Sequence, residues 1–346
     1  MTFDLDGAAI RLQEACLRYA RLTSRSVPPE RVAIQGEAQR RLYEAFCRPA
    51  PRTRLKPAAA EMLALRLGCK PMTRLLPRLS QWEKMRSRLQ AEGFFTVCSA
   101  ERFHENTRDG FTTRGAEQDD PRLVAYAGRA QDAIAEALHL DEALLSGAVP
   151  SGRWGPSTGR LGTLLGYPPC CIDAFVRDSA TASNHELLQL AASRSKHFDP
   201  RLNVTLLSAF HLIAWTPCSF ECAQSLQIAQ RILDHLQAAC PGDTSAALRM
   251  LSMPRMHWDD RCQLLFDGAI QPDGSVRFGA VHTPWGVDGR REDAAIEWVF
   301  FADVASRLSG GGVARVGGGT IEFEPEGGGA VREPLPNGAL WLPFGS

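Results

Sequence analysis

Two pairs of cysteines carry the chemistry legible in this chain. Cys170 and Cys171 are adjacent in LGYPPCCIDAF, and Cys218 and Cys222 are four apart in WTPCSFEC. Both pairs follow proline and run into amphipathic stretches, so the spacing predicts two helix starts. Pro217 fits the first helical position, with Thr216 as its N-cap. Thiolates at such a place feel the positive end of the helix dipole. Cys218 and Cys222, at i and i+4, then share one side of a helix. Adjacent Cα atoms lie about 3.8 Å apart, too close for a relaxed disulfide, so Cys170 and Cys171 read as co-ligands or as one ligand and one free thiol.

Four thiolates suit tetrahedral zinc or an iron–sulfur cluster. The spacing here is C-C and C-x3-C, not the C-x2-C of zinc knuckles. A [4Fe–4S] cluster therefore ranks first as cofactor, and zinc or another thiophilic metal second. Metal-free dithiol chemistry and plain burial stay open beside these. Cys16, Cys47, Cys69, Cys98, Cys240 and Cys262 are isolated and read as small core residues. Candidate acid–base groups near the pairs are His211, Asp173 and Glu221. Each has a plainer reading: His211 as a hydrogen-bonded histidine, and the two acids as first-turn residues favoured by the dipole. His257, Asp259 and Asp260 read as a turn. The chain contains no G-x-S-x-G, no H-E-x-x-H and no C-x3-C-x2-C.

Leu165-Gly166-Tyr167-Pro168-Pro169-Cys170-Cys171 with Phe175 resembles the LGYPxCCxxxF signature of an uncharacterised prokaryotic family, domain of unknown function 483. Pro217-Cys218-Ser219 with Cys222 and Ser225 resembles that family's PCSxxC element. The likeness covers roughly residues 162–233. It implies that the two cysteine pairs act as one unit, and it brings no activity with it.

Lys plus Arg and Asp plus Glu both number 39, so the net charge is zero and a globally basic nucleic-acid binder is not indicated. Residues 48–88 are the exception, with eleven Lys/Arg against Glu61 and Glu83. This segment reads as a solvated helical face; the sharper alternative is a surface for an anionic substrate or RNA, which is not favoured. No apolar leader is visible at the start and no apolar run suits a bilayer, so the expectation is a cytoplasmic protein with reduced thiols and no membrane partner.

The pattern predicts a mainly α protein with a small α+β C-terminal module, the helical body carrying the paired-cysteine site. Residues 1–150 form a helical N-terminal region, 151–252 the helical cysteine-motif core and 253–346 the α+β module. Pro121 is expected to open a helix running to Ala137, and Phe220–Ala239 a confident amphipathic one. Leu202–Trp215 reads as helix or strand. Asp273-Gly274, between Gln263–Phe266 and Val276–Val281, signals a hairpin. Glu292–Leu308 looks helical, and Val313–Val316, Ile321–Phe323 and Leu340–Leu342 are short strands between glycine triplets. The leading expectation for function is a metalloenzyme doing redox or sulfur-handling chemistry on an unknown substrate. The alternatives are a structural zinc site in a binding protein and a metal-free dithiol oxidoreductase.

Overall fold

The computed structural model describes residues 57–105, 112–114, 120–145, 154–179, 184–205, 210–257, 263–282, 311–317, 320–325, 329–334 and 340–345, with 55 and 182. The expected helices near residues 10–19, 31–46 and 292–308, and most of residues 48–56, lie outside these. Described residues up to Leu248 form one compact unit, and those from Arg249 onward another.

The first unit is built on three antiparallel strands. They are β1 (Met72–Leu75), β2 (Phe95–Cys98) and β5 (Ala125–Gly128), in the order β1-β5-β2. A hairpin of β3 (Phe103–Glu105) and β4 (Thr112–Arg114) lies between β2 and β5 in sequence. Central β5 is buried along its whole length. Its side chains alternate between faces, as a strand requires. Tyr126, with Val124 just before the strand, joins Met72, Ile134, Leu138, Leu161 and Leu164 in one cluster. Ala125 and Ala127 join Leu65, Leu75, Trp82, Leu89 and Phe94 in another. Helices supply both clusters: α1 (Pro57–Arg66) and α2 (Leu79–Ala91) the second, α3 (Gln131–Leu145) and α4 (Trp154–Leu164) the first. The unit continues through α5 (Pro169–Asp178), α6 (Asn184–Ser193) and α7 (Ala223–Ala239), and α8 (Pro241–Leu251) leads the chain out of it.

The second unit is a seven-stranded antiparallel sheet. Its order is β11-β10-β9-β8-β7-β6-β12, from β6 (Arg255–His257), β7 (Gln263–Ile270), β8 (Val276–His282), β9 (Gly312–Gly317), β10 (Thr320–Pro325), β11 (Val331–Pro334) and β12 (Leu340–Leu342). The expected hairpin joins β7 to β8, with Gly274 at φ 79°, a conformation glycine takes without strain. Leu264, Phe266, Phe278, Ile321 and Phe323 share one core cluster of this sheet. Buried Arg255 gives its guanidinium to the carbonyls of Met250, Leu251 and Met253, so it caps the end of α8.

The expectation of a mainly helical body needs correction, because its centre is a sheet. Pro121 opens no helix. The run LVAYAG after it is apolar without helical period, and it is paired on both edges as β5. Residues 210–222 form an irregular, partly buried segment in place of helix or strand. The basic stretch also reads differently once folded. Arg66 pairs with Glu92, Lys70 with Glu61, Arg74 with Asp141, Arg78 with Asp120, Arg86 with Glu83 and Arg88 with Glu92. Most of its described charge is therefore neutralised, largely by acids that lie beyond residue 88. No helix among the described residues is long and apolar enough to cross a membrane.

Asp141 is the polar anchor of this unit. It is buried, accepts from Arg74 Nε at 2.5 Å and from the Tyr126 hydroxyl at 2.8 Å. Asp141→Ala strands both donors and is expected to cost about 2–4 kcal/mol, toward the low end for a broken buried pair because Arg74 is partly exposed. Tyr126→Phe removes one donor only and is expected to cost about 1 kcal/mol. Urea unfolding of both variants checks the ranking.

Candidate metal centre

The first cysteine pair is placed by a helix stop followed by a helix start. Gly166 ends α4 with φ 74°, its N–H donating to Thr163 O while Tyr167 N–H donates to Gly162 O. This is a Schellman closure with glycine in the left-handed position. A Cβ on Gly166 would also stand 2.5 Å from Pro71 Cδ. Pro168 then caps α5 and Pro169 fills its first position, which puts Cys170 and Cys171 in the first turn as expected. Along α4, Gly155, Gly159 and Gly162 turn one bare face toward Val176 and Ile172 of α5. Side chains there would hold the two helices apart and shift Cys170 and Cys171 with them.

The second pair is placed differently from expectation. Cys218 lies in irregular chain, and Cys222 is the N-cap of α7, which begins at Ala223. Thr216 and Pro217 therefore open no helix. The backbone of this stretch is instead tied to residues 195–199. Phe220 N–H donates to Ser195 Oγ at 2.7 Å, Asp199 N–H donates to Phe220 O at 3.0 Å, and the Phe198 and Phe220 rings stack at 5.5 Å. With its hydrogen bonds committed to a neighbouring loop, the segment does not complete a helical ladder before Ala223.

The four sulfurs converge. Their Sγ atoms all lie within 4.8 Å of one another. Cys170 Sγ is 3.6 Å and Cys171 Sγ 3.7 Å from Cys222 Sγ. Around a single ion with Zn–S bonds of about 2.3 Å, tetrahedral sulfurs stand about 3.8 Å apart. The donor set and its spacing thus fit a metal, and this group of four cysteines can hold an ion or a cluster. Cys171 and Cys222 are buried, Cys218 is half-buried and Cys170 is the most exposed.

Neighbours orient the buried sulfurs. The backbone N–H of Cys218 donates to Cys171 Sγ at 3.3 Å, and Ser225 Oγ lies 3.3 Å from the same atom. Ser225 is in turn fixed by Trp215 Nε1–H at 3.1 Å. Trp215 lies against the Tyr167 ring at 4.8 Å, and buried Lys70 places its ammonium 4.8 Å from the Tyr167 ring and 5.7 Å from that of Trp215. The expected site residues did not include this layer, although WTPCSFEC already contains Trp215, and Ser225 follows Cys222 by three.

Electrostatics follow from the crowding. Cys222 is pulled down to about 4, chiefly by hydrogen bonding from Cys171, with Ser225 and Cys170 adding to it. Cys171 is raised by that same bond and by burial, Cys170 is pushed up to about 12 by burial, and Cys218 is raised by burial. Without a cation the cluster thus holds one thiolate and three thiols; a bound cation favours the thiolate form of all four.

The three acid–base candidates lie outside the group of converging ligand atoms. Glu221 accepts from the backbone N–H of His197 at 3.2 Å and of Lys196 at 3.4 Å, which makes it part of the tie to the 195–199 loop. Asp173 is exposed on α5, one turn from Arg177. His211 is half-buried in the irregular segment. Among the described residues, the ligand group that converges contains the four cysteines and none of these three.

Residues 151–237 match the model of the family described as protein of unknown function (DUF483), in agreement with the resemblance seen in the cysteine motifs. Neither a curated protein nor a solved structure matches the chain.

The protonation pattern sets a pH dependence. Cys170, Cys171 and Cys218 carry protons at pH 7 and Cys222 does not, so filling the site is expected to expel about three protons per ion. Affinity then falls as pH drops from 7 toward 5, by about three decades per pH unit. Calorimetry in buffers of different ionisation enthalpy counts the protons. The layer behind Cys171 gives a second expectation: Ser225→Ala or Trp215→Phe lowers metal affinity about 10–100-fold in chelator competition, while Cys240→Ser leaves it unchanged.

Proposed function

We propose that this chain is a metalloprotein whose Cys170, Cys171, Cys218 and Cys222 together bind one tetrahedral thiophilic ion, zinc in the first place. The observation that carries this reading is the mutual separation of the four sulfurs, all within 4.8 Å with contacts of 3.6 Å and 3.7 Å. A [4Fe–4S] cluster, the first choice on spacing alone, asks for something wider. Each cysteine there binds a different iron, which sets the sulfurs roughly 6 Å apart. The compact arrangement therefore favours a single ion over the cluster.

Four protein sulfurs fill a tetrahedral shell, the closed form of a structural zinc site, whereas catalytic zinc keeps a position open. The placement of Glu221 supports the same reading, since its carboxylate accepts from the backbone N–H groups of Lys196 and His197. In this proposal the ion fastens the start of α5 to the cap of α7 and the segment before it, and the layer of Ser225, Trp215, Tyr167 and Lys70 forms the wall behind. The function supported best is thus a metal-stabilised binding or scaffold protein, with the redox-enzyme reading second.

Protein purified without oxygen is expected to be colourless, with one zinc per chain. Replacing zinc by cobalt should give the intense visible bands of a tetrahedral tetrathiolate. A brown protein with stoichiometric iron and acid-labile sulfide would falsify the single-ion reading. Gly166→Ala tests the placement of the first pair: backbone strain alone costs about 1–3 kcal/mol, and the variant is expected to bind metal more weakly than wild type in chelator competition.

A further inference from the structure

The four sulfurs are not equivalent toward solvent. Cys171 and Cys222 are buried, and Cys171 receives the Cys218 N–H and touches Ser225. Cys170 stands at the outer end, exposed, with the Gln224 side chain 3.7 Å from its sulfur. Hydrogen-bond donors and burial both damp the reactivity of a metal-bound sulfur, so reactivity concentrates where they are absent. Cys170 also has a partner thiol within reach, because Cys222 Sγ is 3.6 Å away. An accessible sulfur beside a resolving thiolate is the arrangement of an oxidant-sensing site.

We propose that Cys170 is a site of oxidation by hydroperoxides, resolved by Cys222 into a disulfide that releases the metal; this rests on the reading of the four cysteines as ligands. In the loaded site the ion would hold the Cys170 sulfur as a thiolate, and this sulfur attacks one oxygen of the peroxide. The O–O bond breaks, the sulfur is oxidised by two electrons to the sulfenic acid, and the alkoxide or hydroxide leaves and takes up a proton. The Cys222 thiolate then attacks the Cys170 sulfur. The S–S bond forms, the S–O bond breaks, and hydroxide leaves to become water. The sum is two thiolates, one hydroperoxide and two protons giving a disulfide, an alcohol or water, and a further water. As the ion leaves, Cys171 and Cys218 each take up a further proton and remain as two thiols, too few to fill a tetrahedral shell. A dithiol reductant reverses the change, and the ion can return.

The test uses the full zinc-loaded chain and hydrogen peroxide, with a zinc-sensitive dye following release. Wild type is expected to release one zinc per peroxide consumed. Fragment-ion spectra of the linked peptides should join Cys170, and not Cys171, to Cys222. A dithiol should restore binding. Cys170→Ser is expected to slow release at least about tenfold at equal zinc loading. Should that variant bind zinc too weakly to load, brief treatment of wild type with peroxide and dimedone gives the same answer, with the sulfenic-acid adduct on Cys170 in excess over the other three. An adduct mainly on Cys218, a disulfide that omits Cys170, or zinc retained under excess peroxide overturns the proposal. Failure of the metal reading is separate: it appears before any peroxide is added, as reduced protein that binds no zinc.

Discussion

Four sulfur atoms packed into a space of a few ångströms impose an electrostatic condition on everything near them. Their negative charges cannot coexist at such range without a cation. The protein alone settles for one anion at Cys222, shared through hydrogen bonds with its neighbours. Every feature around the cluster can be understood as holding this frustrated arrangement in place: two prolines that start α5 on time, a glycine face that lets α4 approach it, and a loop that binds the irregular segment from the other side.

The surroundings are as informative as the sulfurs. A polar path runs from Cys171 through Ser225 to the Trp215 indole. Beyond the aromatic rings lies Lys70, fully buried and paired with Glu61, which also accepts from Thr73 at 3.2 Å. Burial lowers the Lys70 ammonium from its ordinary range, and the carboxylate beside it works against that shift. A charge pair at such depth is costly to desolvate and is held only by well-formed contacts. Its ammonium lies over the faces of the two aromatic rings that pack behind the site. The rigidity of the Trp215 wall therefore depends on residues more than a hundred positions earlier in the chain.

Much of this was legible in the residues themselves. Two doubled cysteines, each after proline, announced a shared site, and alternation around Asp273-Gly274 announced the β7–β8 hairpin. What stayed hidden depended on contacts between distant segments. The apolar run before Gly128 has the same composition as a buried helix; only pairing with β1 and β2 makes it a strand. The stretch from Phe210 to Trp215 is apolar enough for a helix, yet its continuation is bonded to the 195–199 loop. Arg74 and Arg78 looked like surface charge because Asp141 and Asp120 are far along the chain. Within the site, the order of preference between cluster and single ion turned on a distance, which spacing in sequence does not contain.

The two cysteine pairs also have a history in time. Cys170 and Cys222 are separated by 52 positions. At synthesis rates of about 5–20 residues per second, the first pair leaves the ribosome several seconds ahead of the second. During that interval the nascent chain presents two neighbouring thiols with half a coordination shell and no means of closing it.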